Sequence, residues 1–278
     1  MTIDGYNITA FGCTLLGGSY NSFGNLVKYP KRSAVNYNDW AEENGIQPDL
    51  SEVKFEERKF QLYFGMQGMT QVSMRSNYEG FYGLLSQAGY RTVNAIPGLT
   101  HRLRFSGVSD YILSKAFMSA ENHAVLTVDF AEDTWGQTAM PLQSGVAPNG
   151  LLAINTIDFG SFGVSLDDRM DNFFKYPSLK TPFDDGKQRY LDLVRTQQKS
   201  IKLNLWMLAD SPSEFVSNYL AFFNEWKKPG LQTLHVYPSG RNVGVYYSDC
   251  SSFKIERWSA DKVCARFSIE VVAPVFEI

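Results

Sequence analysis

Residues able to do chemistry are present in this chain, but not at the spacings that chemistry needs. Gly160-Ser161-Phe162-Gly163 comes nearest to a nucleophile elbow, yet it lacks the GxSxG spacing that strains a serine into exposure. Gly17-Gly18-Ser19 opens no phosphate-cradling loop, because the Gly-Lys-Ser/Thr that should close one is missing. His101, His123 and His235 are scattered, without the HxH or HExxH spacing that presents two imidazoles to one metal ion. Carboxylate pairs occur at Glu42-Glu43, Glu56-Glu57, Asp167-Asp168 and Asp184-Asp185. Adjacent strand residues point to opposite faces, so such neighbours do not share a proton and read as solvated turns.

The densest acidic stretch, Asp167-Asp168-Arg169-Met170-Asp171, lacks the glycine and distal glutamate of a calcium loop. Cys13, Cys250 and Cys264 form no CxxC pair and read as reduced, mostly buried thiols. Asn7-Ile8-Thr9 fits a glycosylation sequon, idle without a secretory leader. Of Trp40, Trp135, Trp206, Trp226 and Trp258, the spacing of Trp206 and Trp226 in apolar periodic runs assigns both to core packing. The expectation is therefore no catalytic residue, no cofactor-binding residue and no metal ligand: a non-enzymatic chain.

The elements around these residues repeat. Arg58 to Met66 lies over Lys199 to Met207 at a shift of 141, as do Asn44-Gly45 over Asp185-Gly186 and Ala124 to Phe130 over Ala265 to Val271. Nearer the start the shift widens to 147 for Lys28-Tyr29-Pro30 over Lys175-Tyr176-Pro177, and to 151 for Phe11-Gly12 over Phe162-Gly163, as loop insertions produce. This divides the chain into residues 1–133, a linker at 134–152 rich in turn residues, and residues 153–278.

Alternation in Phe60/Leu62/Phe64 and Leu203/Leu205/Met207 predicts half-buried strands. A helix follows in each copy. Ser211-Pro212-Ser213-Glu214 reads as a capping box ahead of Phe215, Tyr219, Phe222, Phe223 and Trp226; Ser76-Asn77-Tyr78-Glu79 reads as the matching box ahead of Phe81, Leu84 and Leu85. These side chains are expected to be buried against their own sheets. Strands resume with Leu103/Phe105 and Val245/Tyr247, lead to Tyr111/Leu113 and Phe253/Ile255, and close with Leu126/Val128/Phe130 and Phe267/Ile269/Val271. The predicted fold is α+β and mainly β: two tandem antiparallel barrel- or sandwich-like domains, each with one flanking helix.

Composition narrows the function classes. In 278 residues, Lys and Arg number 26 and Asp and Glu 29, a net charge of −3 with no basic excess for wrapping phosphate. No run of 18 apolar residues exists to span a bilayer, and the start lacks the charged and apolar regions of a signal peptide, so a cytoplasmic product without membrane insertion is expected.

One stretch carries a family likeness. Ile3-Asp4-Gly5-Tyr6-Asn7-Ile8, then Lys28-Tyr29-Pro30-Lys31, then Asp39-Trp40 through Asp49-Leu50, then Phe55-Glu56-Glu57-Arg58-Lys59-Phe60 resembles the N-terminal domain of phage distal tail proteins. With the Phe81-Tyr82 helix the likeness extends over most of residues 3–133. It implies a tail-tube-like, barrel-type domain assembled into rings round a lumen through which DNA passes without specific binding. A second copy in place of a different C-terminal domain is instead similar to the tandem hub proteins of contractile tails. The resemblance implies a virion structural protein of a phage or prophage, assembled in the host cytoplasm and placed in the tail. Its implied partners are itself, as a pseudo-six-fold trimer or a hexamer, and the tail-tube, tape-measure and baseplate proteins. The alternative reading is a carbohydrate-binding or adhesion module using exposed aromatic rings.

Overall fold

The computed structural model describes residues 1–40, 43–113, 122–137, 140–142, 150–167, 173, 175–180 and 195–276. The chain is mainly β, with two large antiparallel sheets. Its strands in chain order are β1 (Thr2–Ile3), β2 (Tyr6–Asn7), β3 (Cys13–Leu15), β4 (Tyr37–Asn38), β5 (Gln47–Pro48), β6 (Arg58–Gly68), β7 (Tyr90–Ile96), β8 (Leu99–Leu113) and β9 (Asn122–Glu132). There follow β10 (Leu152–Ile154), β11 (Ile157–Asp158), β12 (Val164–Leu166), β13 (Lys199–Ala209), β14 (Gln232–Val236), β15 (Arg241–Trp258) and β16 (Val263–Ala273). The described α-helices are α1 (Ser22–Val27), α2 (Gln71–Leu85) and α3 (Pro212–Trp226).

One seven-stranded sheet runs β2-β1-β7-β8-β9-β6-β3 and the other β11-β10-β14-β15-β16-β13-β12, the same order position for position. In each, the two edge strands are consecutive in sequence, separated by one 3-10 turn, Ile8–Phe11 or Phe159–Phe162. A flat seven-stranded sheet would hold its edges about 29 Å apart, whereas a 3-10 turn advances about 2 Å per residue, so each sheet must curl strongly. Gly12 and Gly163 end these turns at φ of 63° and 72°. A Cβ at either would overlap a backbone carbonyl, of Gln67 or of Leu208, so glycine is required there twice over.

The cores follow the alternation read from sequence. On β6, Leu62, Phe64 and Met66 are buried and meet Val128, Leu126 and Ala124 of β9 across the ladder. Phe81, Leu84 and Leu85 of α2 close over them. In the other half Leu203, Leu205 and Met207 pair with Ile269, Phe267 and Ala265, and Phe215, Tyr219, Phe222, Phe223 and Trp226 of α3 are all buried. Phe222 sits edge-on to Phe159, Phe162, Trp226 and Phe267 at centroid distances of 5.1, 5.3, 5.9 and 6.1 Å.

Three expectations need correction. Ser211 caps α3 as read, its hydroxyl accepting from Glu214 N at 3.2 Å, but α2 starts five residues before Ser76. Its N-cap is Thr70, boxed with Ser73, a pairing that lacks the Glu or Gln the motif search demands. The runs at Leu103 and Tyr111 are one strand, β8, bent by a register shift between Phe105 and Gly107, and those at Val245 and Phe253 are likewise one strand, β15. Strands β7 and β14 escaped notice because a polar side chain takes an inward place in each. Arg91 is buried against Asp4 (2.8 Å) and Ala88 O (2.7 Å), and Gln232 against Lys228 O (3.1 Å). Both hold the carbonyls that leave the preceding helix, at the cost of a broken alternation.

Clustering by proximity gives two compact units: 1–30, 55–138 and 253–258 in one, 31–54, 139–252 and 259–278 in the other. They depart from the boundaries expected from sequence, because residues 31–54 belong to the second unit and 253–258 to the first. Among the described residues no helix is long and apolar enough to cross a membrane.

Candidate assembly surfaces and the charges that anchor them

The residues with chemical potential are spread through the fold. His235 Nδ1 bonds Asn242, and His101 is buried in the first unit. Asn7 caps the first 3-10 turn, its side chain accepting from Thr9 N at 3.1 Å. Of the acidic stretch, Asp167 accepts from Trp206 Nε1 and pairs with Arg266 at 3.5 Å, while Asp168, Arg169, Met170 and Asp171, like Glu42, Asp184 and Asp185, lie outside the described residues. Trp226 is buried as expected. Trp206 is not core: it falls between Leu205 and Met207 on the outward face of β13 and stacks under Arg266 at 3.9 Å. Cys13 and Cys250 are buried and Cys264 is half-buried, with burial pushing the Cys13 thiol up to about 12. Among the described residues no three His, Cys, Asp or Glu side chains converge as a metal site would require.

The strongest electrostatic feature is a buried group in the first unit. Arg58, at the start of β6, donates from Nε to Glu132 at 2.8 Å, and from its other nitrogens to Leu26 O (3.1 Å), Asn25 O (3.3 Å) and Lys28 O. Those carbonyls are the open C-terminal end of α1, where a cation is favoured. Glu132 also bonds His101 Nδ1 at 3.0 Å, and Trp135 covers the guanidinium at 4.6 Å. Burial alone would raise the Glu132 carboxyl. The His101 hydrogen bond and the Arg58 charge outweigh it and hold that carboxyl below the ordinary carboxylate range.

A carboxylate orienting an imidazole is the rear half of a catalytic triad, but here His101 Nε2 is buried with no partner among the described residues. Both side chains are about 1% exposed, out of a substrate's reach in this conformation. The group instead fixes the chain where it leaves α1 through Lys28-Tyr29-Pro30. Lys199 does the same on β13: its ammonium donates to Phe173 O and Lys175 O and lies 3.8 Å from the Phe276 ring. Among the described residues no carboxylate neutralises it, since Ala273 stands where β9 has Glu132, and burial pushes it down to about 8.

Beyond the first of these anchors runs an arm, residues 31–54. Ser33 N to Lys54 O (2.9 Å) closes its root, and the β4–β5 pair lies near its tip. Within the second unit it is held by Arg32 N to Ser248 O (2.8 Å), Gly45 N to Thr196 O (2.7 Å), Ile46 N to Pro274 O (3.1 Å) and Gly230 N to Leu50 O (3.0 Å). The Arg32 guanidinium stands over the Tyr246 ring at 5.4 Å, and Lys180 pairs with Asp39 at 2.6 Å. Ile46 and Leu50 of the arm are buried. The backbone bonds could not be read from sequence, since they depend on where a distant strand brings its carbonyls.

No protein-family model matches the chain, and no curated protein matches it. Among solved structures it is similar to the crystal structure of the SPP1 Dit (gp 19.1) protein, described as a paradigm of the hub adsorption apparatus in phages infecting Gram-positive bacteria. The identity is 12%, over 97% of this chain and 96% of that one, with a TM-score of 0.32. A score of that size carries no argument about fold or role.

Proposed function

We propose that this chain is a structural, non-enzymatic component of a phage or prophage tail tip, built as a tandem duplication of one barrel-like domain and assembled into a ring. One observation carries the reading: the two sheets correspond down to individual hydrogen bonds. Asp4 and Asn155 both take positive φ, at 50° and 48°, in the turn after the first strand. Asp4 N bonds Thr92 O and its Oδ1 accepts from Thr92 N; Asn155 N bonds Thr233 O and its Oδ1 accepts from Thr233 N. Thr92 and Thr233 are 141 apart, the shift of the sequence repeat. With the resemblance of residues 3–133 to distal tail proteins, this supports two tube-like domains per chain, so that three chains would offer six equivalent positions to a hexameric tube.

In this reading the ring joins tail tube to baseplate beside the tape-measure protein, DNA passes through without specific binding, and the protein resides in the virion tail. The trimer is favoured over the hexamer because duplication is the simplest way to replace six subunits by three. Mass measurement and imaging of assembled tails test it. A three-fold or six-fold particle is expected, and a stable head-to-head dimer with no such particle refutes the ring.

The adhesion reading draws on Tyr78, Tyr82, Phe105 and Tyr111, which cluster on α2 and β8 with Tyr82 and Tyr111 exposed. Tyr78 meets Tyr111 at 60° and Tyr82 meets Phe105 at 85°, so the rings engage one another edge-on instead of offering a flat platform to a sugar face. Glycan-array binding lost on Tyr82→Ala would favour that reading instead.

A further inference from the structure

Corresponding residues of the two copies differ sharply in burial at the root of the arm. Tyr29 is 1% exposed and edge-on to Trp135 at 6.5 Å, whereas Tyr176, the same position in the second Lys-Tyr-Pro triplet, is 75% exposed. Arg32 is 4% exposed against Tyr246, whereas Leu179 is 57% exposed. The register is fixed by the bond that closes each root: Ser33 N to Lys54 O and Lys180 N to Arg195 O, both 2.9 Å, so Leu179 is the counterpart of Arg32.

The seat differs in the same sense. Arg91 lies opposite Leu103 in one sheet and Gln232 opposite Val245 in the other, which makes Arg104 of β8 the counterpart of Tyr246 on β15. Tyr246 is buried under the first arm; the Arg104 side chain is half-exposed and bonds along the surface to Glu57 and Asp133. One arm and one seat are thus joined within the chain, while at the matching root and seat Tyr176, Leu179 and the Arg104 side chain are exposed among the described residues.

We propose that the second arm root, at Tyr176 and Leu179, seats on the Arg104 face of a second copy of this chain, as Arg32 seats on Tyr246. Leu179 then lies along the aliphatic stem of Arg104 while the guanidinium keeps Glu57 and Asp133. The contact is heterologous, arm to seat, so it propagates head to tail and closes into a ring when the rotation permits. This deepens the ring reading and rests on it.

The test uses the full chain with Cys264→Ser, leaving the buried Cys13 and Cys250 in place. Leu179→Cys and Arg104→Cys proteins are mixed and treated with a short bis-maleimide. A covalent dimer is expected at no less than tenfold the yield of Leu179→Cys mixed with Tyr6→Cys, another exposed site. In parallel, Leu179→Asp should weaken self-association at least tenfold with unchanged circular dichroism. Rings that form without the link and tolerate Leu179→Asp overturn this contact and leave the ring standing. A protein that stays monomeric and traps no link at any concentration overturns both.

Discussion

Replacing Glu132 with Ala removes the one carboxylate facing two buried cationic or protonatable partners, and the structure sets the cost. Arg58 loses its only side-chain anion among the described contacts, keeping three carbonyls that do not neutralise it, and His101 Nδ1 loses its partner at 3.0 Å. Breaking a buried pair by deleting one partner leaves an uncompensated charge and costs about 3–5 kcal/mol, more than the packing loss at the strand end. Urea unfolding followed by tryptophan fluorescence should show it, because Trp135 lies over both Arg58 and His101. The pH dependence supplies a second reading. The folded Glu132 carboxyl lies below its unfolded value of 4.5, so its stabilisation is complete above about pH 4.5 and is lost as pH falls through the folded value. The gap between wild type and variant should therefore close in acid. A loss under about 1 kcal/mol at pH 7, or a gap indifferent to pH, would show that the cluster does not anchor the root of the arm.

At Lys199 the buried charge is a cost and not a gain: its folded value of about 8 lies below the ordinary lysine value of 10.5, so the unfolded chain holds the extra proton and stability rises between about pH 8 and 10.5. Wild type should gain on Lys199→Met across that window by denaturant titration, and parallel curves would dismiss the burial argument. Phe222→Ala empties a fully buried site ringed by four aromatics and should cost about 3–5 kcal/mol in the same assay, with a loss below about 1 kcal/mol marking that helix face as uncommitted. Thr156 holds φ of 78° in the turn after β10, at the place that Gly5 takes, at 83°, in the turn after β1. Thr156→Gly should raise stability by up to about 1 kcal/mol as thermal unfolding reads it, and a drop would mean that the side chain compensates its own strain.

Local pattern alone determined much of this protein. Alternation at Leu62, Phe64 and Leu205 placed the central strands, because a strand with one wet face has period two, and the helical spacing of Phe215 to Trp226 placed α3 and its buried face. The 141-residue shift in pattern stands beside two sheets of one strand order, as equal patterns bury equal faces. Tertiary structure decided what depends on distant partners. It gave β7 and β14 an inward Arg91 and Gln232, whose polar ends are satisfied by helix carbonyls that only the fold brings near. It turned Trp206 outward under Arg266 and seated residues 31–54 within the second unit through backbone bonds that are blind to side-chain type. It separated Tyr29 from Tyr176, which share a Lys-Tyr-Pro triplet and are opposite in burial, because what covers a side chain is set by the surface that meets it.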